Sequence, residues 1–231
     1  SPKFINLFKG AFFAHISTNH ITIYNMRIGM ISTSRAGCTY MRRYICNRYN
    51  LKDSGSWLKN NSYEDIEDEE WTYVPHIVKV LVHYIPKKDR KTVLSDFDKI
   101  WLWREDKVRQ FLSHVTRLRT KVSHVYNDAD MPIIDDNTLV AHRSEFDRFM
   151  KRQNEFWSLY HELGFPKNEP LIKFEDFVEN PKSVCEMLED WFYMEFGFNF
   201  DLPDQSLPKR IDIDYSTKYN NYEEVVEWFN E

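Results

Sequence analysis

The sequence predicts an α/β protein of three layers, a mainly parallel sheet flanked by helices. Three observations predict it. Short apolar runs (Ile28 to Ile31, Pro75 to His83 and Lys99 to Trp103) alternate with stretches of helical period, the order that builds right-handed βαβ crossovers. The second run is β-branched and bounded by Pro75 and Pro86, which suits a strand buried on both faces. The first run feeds Ser32-Thr33-Ser34-Arg35-Ala36-Gly37-Cys38-Thr39, small and hydroxylated, and then an apolar helical stripe of Tyr40, Met41, Tyr44 and Ile45.

Bulk properties set limits. The 231 residues fit one domain spanning 1–231. Aromatic residues make up 16%, with seven Trp, enough for a bulky core. A net charge of −5 argues against a general nucleic-acid binder. Three Cys (Cys38, Cys46, Cys185) cannot all pair and match no zinc or CxxC spacing, so a reducing cytoplasm is the expected location and no metal is expected. No apolar run approaches the length of a membrane span. Residues 4–16 are apolar but broken by Lys9 and Gly10, and read as a packed segment.

Taken in order, Ile21 to Tyr24 reads as a strand or hairpin arm leading into Ile28–Ile31. The helix after the loop should run to about Tyr49. Residues 50–70 are polar and end in an acidic run, Glu64 to Glu70, whose plain reading is a solvated face. After the Pro75–His83 strand comes a basic turn (Lys87, Lys88, Arg90, Lys91). The Lys99–Trp103 strand ends at Arg104. A helix follows with Val108, Phe111, Leu112, Val115, Leu118 and Val122 at helical spacing and Arg109, Ser113, Arg117 and Lys121 on its polar face. Residues 127–143 read as loop. Ser144 with Asp147 resembles a capping box opening a helix with Phe146, Phe149, Met150, Phe156, Trp157 and Tyr160 inward, stopped by Gly164 and Pro166. Leu171–Phe174 is a short strand. Asn180-Pro181 reads as an N-cap and first-turn proline, opening a helix that buries Val184, Met187, Leu188, Trp191 and Phe192. A terminal helix closes the chain.

A strand, small loop and helix aim backbone N–H groups and a positive helix end at one point, an anion cradle. The loop lacks the GxxxxGK[ST] of a nucleoside-triphosphate site. Ligands in such sheets bind beyond the carboxyl ends of the strands. The 32–39 loop, His83 and Arg104 should therefore meet at one edge.

Four segments in this order resemble the sulfotransferases that use 3′-phosphoadenosine 5′-phosphosulfate (PAPS). Ser34-Arg35-Ala36-Gly37-Cys38-Thr39 is similar to the family's 5′-phosphosulfate loop. Pro75 to Val80 is similar to the strand that carries the base in cytosolic members. Lys99 to Arg104, with Ser113, is similar to the 3′-phosphate motif. Leu171 to Phe177, with Asn180-Pro181, is similar to a segment common across the family. Arg104 to Gln110 and the pair Lys209-Arg210 lean toward the bacterial trehalose-type branch.

The resemblance implies a P-loop-NTPase-like sulfotransferase fold and sulfuryl transfer from PAPS to a hydroxyl or amine of a small-molecule or glycan acceptor. It implies Ser34 to Thr39, Arg104, Ser113, Lys209 and Arg210 as nucleotide contacts, with Arg35 catalytic and Trp57 as an adenine stack. The family histidine falls on Leu81. His83, two residues on, is the first choice of base because its ordinary pKa suits taking a proton near neutrality; His124, Glu175 and His76 are alternatives. Arg42 and Arg43 stand where the trehalose-type base would fall, and suit holding an anion. Cys38, near a helix N-terminus, could have a lowered pKa. Two other readings stand beside the first: a pocket that binds nucleotide without catalysis, and a small-molecule kinase. The acceptor and the oligomeric state are not read.

Overall fold

Ile28, Met30 and Ile31 are fully buried, so the strand that carries them is covered on both faces. A computed structural model describes residues 27–57, 75–122, 134–197, 207 and 213–231. The expectations for residues 4–16, Ile21–Tyr24, the acidic run 64–70, His124, Lys209 and Arg210 lie outside those residues.

Five strands, β1 (Arg27–Ser32), β2 (Lys52–Trp57), β3 (His76–Leu81), β4 (Asp98–Trp103) and β5 (Leu171–Lys173), form a sheet of order β2-β3-β1-β4-β5. Every pairing is parallel. Ser32 pairs with Leu81 on one side and Leu102 on the other, so the three central strands reach their carboxyl edge together.

Seven helices accompany the sheet among the described residues: α1 (Cys38–Tyr49), α2 (Arg90–Ser95), α3 (Lys107–Thr120), α4 (Arg143–Leu159), α5 (Phe174–Glu179), α6 (Pro181–Phe196) and α7 (Tyr222–Trp228). The period of two along each strand divides its side chains between the faces. Ile28, Met30, Ile77, Ile100 and Leu102 pack with Met41 and Ile45 of α1, Phe177 of α5 and Leu188 and Phe192 of α6. Ile31, Val78, Val80 and Trp101 pack on the opposite face with Leu94 of α2, Phe156 of α4 and Tyr160. A third cluster joins Phe111 and Val115 of α3, Phe146 and Phe149 of α4, and Val225 and Trp228 of α7. No described helix is long and apolar enough to cross a membrane.

The structure departs from the sequence reading at several places. Lys52–Trp57 is an edge strand, although Asp53, Ser54 and Gly55 carry no strand signal; its register shifts between Asp53 and Ser56, and Gly55 takes φ 76°. The Pro75–His83 strand stops at Leu81, and Val82–Tyr84 forms a 3₁₀ turn that carries His83 off the strand. The basic turn contains the short helix α2. Helix α4 begins at Arg143 and not after Ser144. Its flanking residue is His142, whose N–H donates to Glu145 Oε2 at 3.1 Å, because that carboxylate lies three residues on. The end of α4 widens into a π turn over Tyr160–Gly164. There a Cβ at Gly164 would meet Trp101 Nε1 at 2.5 Å, so only glycine fits. Phe174 opens α5 and does not end β5. Met187 and Leu118 lie at the margins of their stripes and are exposed. Asn180 caps α6 as expected, its Oδ1 accepting from Ser183 N–H at 3.2 Å.

Candidate functional site

The loop from Thr33 to Gly37 leaves β1 at the carboxyl edge and enters α1. Two of its residues have left-handed backbone, Arg35 (φ 64°) and Gly37 (φ 89°). For Arg35, with a Cβ, this conformation costs energy and persists only where surrounding contacts hold it. Those contacts are visible. Gln110 Nε2 of α3 donates to Thr33 Oγ1 at 2.9 Å and to the Ser34 carbonyl at 2.8 Å. Gln153 Nε2 of α4 donates to the same Thr33 hydroxyl at 3.1 Å. Gly37 lies against Phe174, whose ring would stand 2.2 Å from any Cβ there.

The first N–H groups of a helix have no partner within it, and α1 brings neither a side-chain cap nor an acidic residue to its first turn. Its amino end therefore suits an anion from outside. Arg35 Nε donates to Ser113 Oγ of α3 at 2.8 Å, so two segments 78 residues apart meet. Ser113, expected on the polar face of its helix, is buried. Lys79, on β3, donates to Thr39 Oγ1 at 3.2 Å. Burial pulls the Lys79 and Arg35 pKa values down, and Arg117 adds to both.

Two imidazoles stand beside this group. His83 Nε2 is 3.2 Å from Ser34 Oγ, and its Nδ1 is buried without a hydrogen bond. Burial first, then nearby cationic groups, Arg152 foremost and Arg90 and Arg117 after it, pushes His83 down to about 3. The ordinary pKa that recommended His83 as a base is therefore absent from the protein without an anion. His114 of α3 is held at about 4 by burial, then by Arg152, Arg117 and Arg35.

Arg104 is buried, its Nε 3.4 Å from Glu175 Oε1 and its guanidinium 5.5 Å from the centre of the Phe174 ring. It thus reaches the loop through Phe174 and Gly37, while Ser113 reaches it through Arg35. Glu175 accepts from the backbone N–H groups of Glu105 and Asp106 at 2.9 and 3.4 Å, which ties it to the β4–α3 junction. His76 begins β3 at the opposite edge of the sheet, with Nδ1 2.7 Å from Ser54 Oγ. Arg42 is buried with Nη1 3.1 Å from Asp53 Oδ1, while Arg43 is exposed. Cys38 corrects another expectation: burial outweighs the helix end and raises its thiol to about 11. Ala36 is fully buried. Trp57 closes β2 opposite Val80.

The sequence reading did not bring Lys79, Gln110, His114, Arg117, Arg152 or Gln153 into the site. Lys79 did leave a signal, as the one charged residue between Ile77 and Val82 in a β-branched run. Gln110, His114 and Arg117 share a helix face at i, i+4 and i+7, but nothing local says that this face meets the loop. No group of three His, Cys, Asp or Glu side chains that could hold a metal is found among the described residues.

No protein-family model and no curated protein matches the chain. Among solved structures, mouse sulfotransferase SULT7A1 complexed with PAP is similar over 78% of this chain and 61% of its own, at 12% identity and a TM-score of 0.46. The chain spans less than two thirds of that protein's length.

Proposed function

We propose that the chain transfers a sulfuryl group from PAPS to a hydroxyl or amine of a small-molecule or glycan acceptor. The observation that carries this reading is the Arg35–Ser113 contact at 2.8 Å. It joins the segment that resembles a 5′-phosphosulfate loop to the serine of the segment that resembles a 3′-phosphate motif. The donor set fits polyanion chemistry: a helix end without its own acid, Arg35, Lys79, two loop hydroxyls (Ser34 and Thr39) and Arg104. Lys209 and Arg210 are proposed to add to it on the 3′ side. The lean toward the trehalose-type branch rests on the wording of Arg104 to Gln110 and on that pair.

PAPS would supply an activated sulfur whose bond to the 5′-phosphate oxygen breaks as the acceptor oxygen bonds to it. The leaving phosphate keeps the electron pair, so negative charge builds beside the loop. Arg35, Lys79 and the N–H groups of the first turn of α1 face that charge from fixed positions, which lowers the barrier without reorganisation. His83 Nε2, now beside Ser34, takes the acceptor proton. An anion in the cradle offsets the cations that depress His83 and raises its pKa toward the range of a working base.

Thermal-shift titration with adenosine 3′,5′-bisphosphate in the absence of magnesium tests the binding half, with stabilisation expected. A requirement for ATP with magnesium would sink the proposal in favour of a kinase. Transfer of labelled sulfate to a panel of sugars and phenols tests the chemistry. Arg35→Ala and Arg104→Ala are each expected to abolish transfer, and full activity in either overturns the assignment.

The low pKa of His83 favours one second reading, a pocket that holds the nucleotide without catalysing transfer. Bisphosphate binding with no labelled product on any acceptor would select it.

A further inference from the structure

We infer that Lys107, the first residue of α3, is a positioning residue for the anion loop: its ammonium turns the amides of Gln110 and Gln153 so that both hold Thr33. Lys107 Nζ donates to Gln153 Oε1 at 3.2 Å and to Gln110 Oε1 at 3.4 Å. At the far end of the same two side chains, Gln153 Nε2 and Gln110 Nε2 donate to Thr33 Oγ1, at 3.1 and 2.9 Å. Four side chains from α3, α4 and the loop thus close a ring of hydrogen bonds. That the held loop serves a phosphosulfate rests on the sulfuryl-transfer reading; the ring itself does not.

An amide oxygen only accepts and its NH2 group only donates. Reversing Gln110 would set its NH2 against an ammonium and its oxygen against the Ser34 carbonyl, which accepts from Nε2 at 2.8 Å. Reversing Gln153 would likewise turn its NH2 toward the ammonium. The cation therefore selects one orientation of each amide. Thr33 Oγ1 has two acceptor positions, and the two amides fill both. Thr33, Gln110 and Gln153 are all buried, where a reversed amide would leave polar groups unmet. Lys107 makes no ion pair with a described residue, and its ammonium lies 5.4 Å from the centre of the Trp103 ring. Burial pulls its pKa down to about 8, which keeps it charged at neutral pH. A half-buried ammonium held by two neutral amides and an aromatic face serves orientation and not charge pairing.

The ring bears directly on Arg35. The Ser34 carbonyl belongs to the peptide plane against which the Arg35 φ of 64° is measured. The Gln110 bond to that carbonyl therefore fixes the left-handed turn. Helix α3 also holds the Arg35 side chain, through Ser113 Oγ at 2.8 Å. Backbone and side chain of this arginine are thus registered on one helix. A left-handed arginine persists only where its surroundings over-determine it. Without the ring the loop has to be ordered when the anion arrives, and that ordering subtracts from affinity.

The test compares Lys107→Met, Gln153→Met, which alters no charge, and the double variant. Affinity for adenosine 3′,5′-bisphosphate is read by calorimetry at a temperature where circular dichroism shows each variant folded. Each single variant is expected to bind roughly fivefold more weakly, the size of one net hydrogen bond. The double variant should bind no more weakly than Lys107→Met, because both changes open the same ring. In ligand-free, isotope-labelled protein the side-chain NH2 resonances of Gln110 and Gln153 should stand apart from those of exposed glutamines. In Lys107→Met both pairs should move together toward the exposed positions. Unmoved resonances in Lys107→Met, parent-like affinity in Gln153→Met, or additive losses in the double variant each overturn the positioning role. A parent that does not bind the bisphosphate sinks the donor reading alone, since the ligand-free resonances still decide the role of Lys107.

Discussion

His83 and His114 both stay neutral at neutral pH because they are buried among cations. Their pKa values, about 3 and about 4, lie below the ordinary value near 6.5. Between those limits the unfolded chain binds more protons than the folded one, so stability rises with pH. The contribution is fully present above about pH 6.5 and is lost as the pH falls toward 4. Thermal melts across that window should show the decline, and His114→Gln should flatten it by an amount on the order of 2 kcal/mol. Bound bisphosphate should shift the decline to lower stability loss, because its charge offsets Arg117 and Arg35. At this scale Arg35 and Ser113 were legible, since each stands in a recognisable local pattern. Gln110, Gln153 and Arg152 were not: the first two reach Thr33 across 77 and 120 residues, and an amide or guanidinium on a helix carries no local mark of a distant partner.

The strand–loop–helix element depends on Gly37. Its φ of 89° and the Phe174 ring leave no room for a methyl group. Gly37→Ala is therefore expected to cost at least about 2 kcal/mol in urea denaturation, combining backbone strain with overpacking. Asn180→Ala should cost about 1 kcal/mol by removing the cap of α6, without touching the loop. The elements read correctly from sequence, β1, α1, β4, α3 and α6, have strong apolar patterns, and α6 also has its asparagine cap. Those misread lack them or change course. Strand β2 is held by pairing with β3 and not by its own residue types. The turn at Val82–Tyr84 interrupts an apolar run that looks continuous on paper.

Across the whole molecule, the sheet separates the candidate site from a buried charge cluster at the other end. Lys99 Nζ lies 2.7 Å from Glu169 Oε1, and Glu169 Oε2 accepts from Trp101 Nε1 at 2.7 Å. Both charged side chains are almost fully buried, so removing one strands the other. Glu169→Leu should destabilise the protein by about 3–5 kcal/mol. The folded fraction should keep its bisphosphate affinity, because Lys99 lies near the start of β4 and the loop lies at the carboxyl edge. The layered architecture was legible because alternating strands and helices leave few topologies. The meeting of α3, α4 and the loop was not, since it follows from tertiary packing of apolar clusters around Phe111, Phe146 and Phe156 rather than from any one segment.

The left-handed backbone at Arg35 sets function against durability. A glycine there would relax the turn and remove one member of a crowded set of cations, so Arg35→Gly should melt no lower than the parent while losing the bisphosphate response. A chain selected for stability alone would have little reason to keep an arginine at that position. On the proposed reading, the arginine trades tolerance to heat for a grip on the nucleotide.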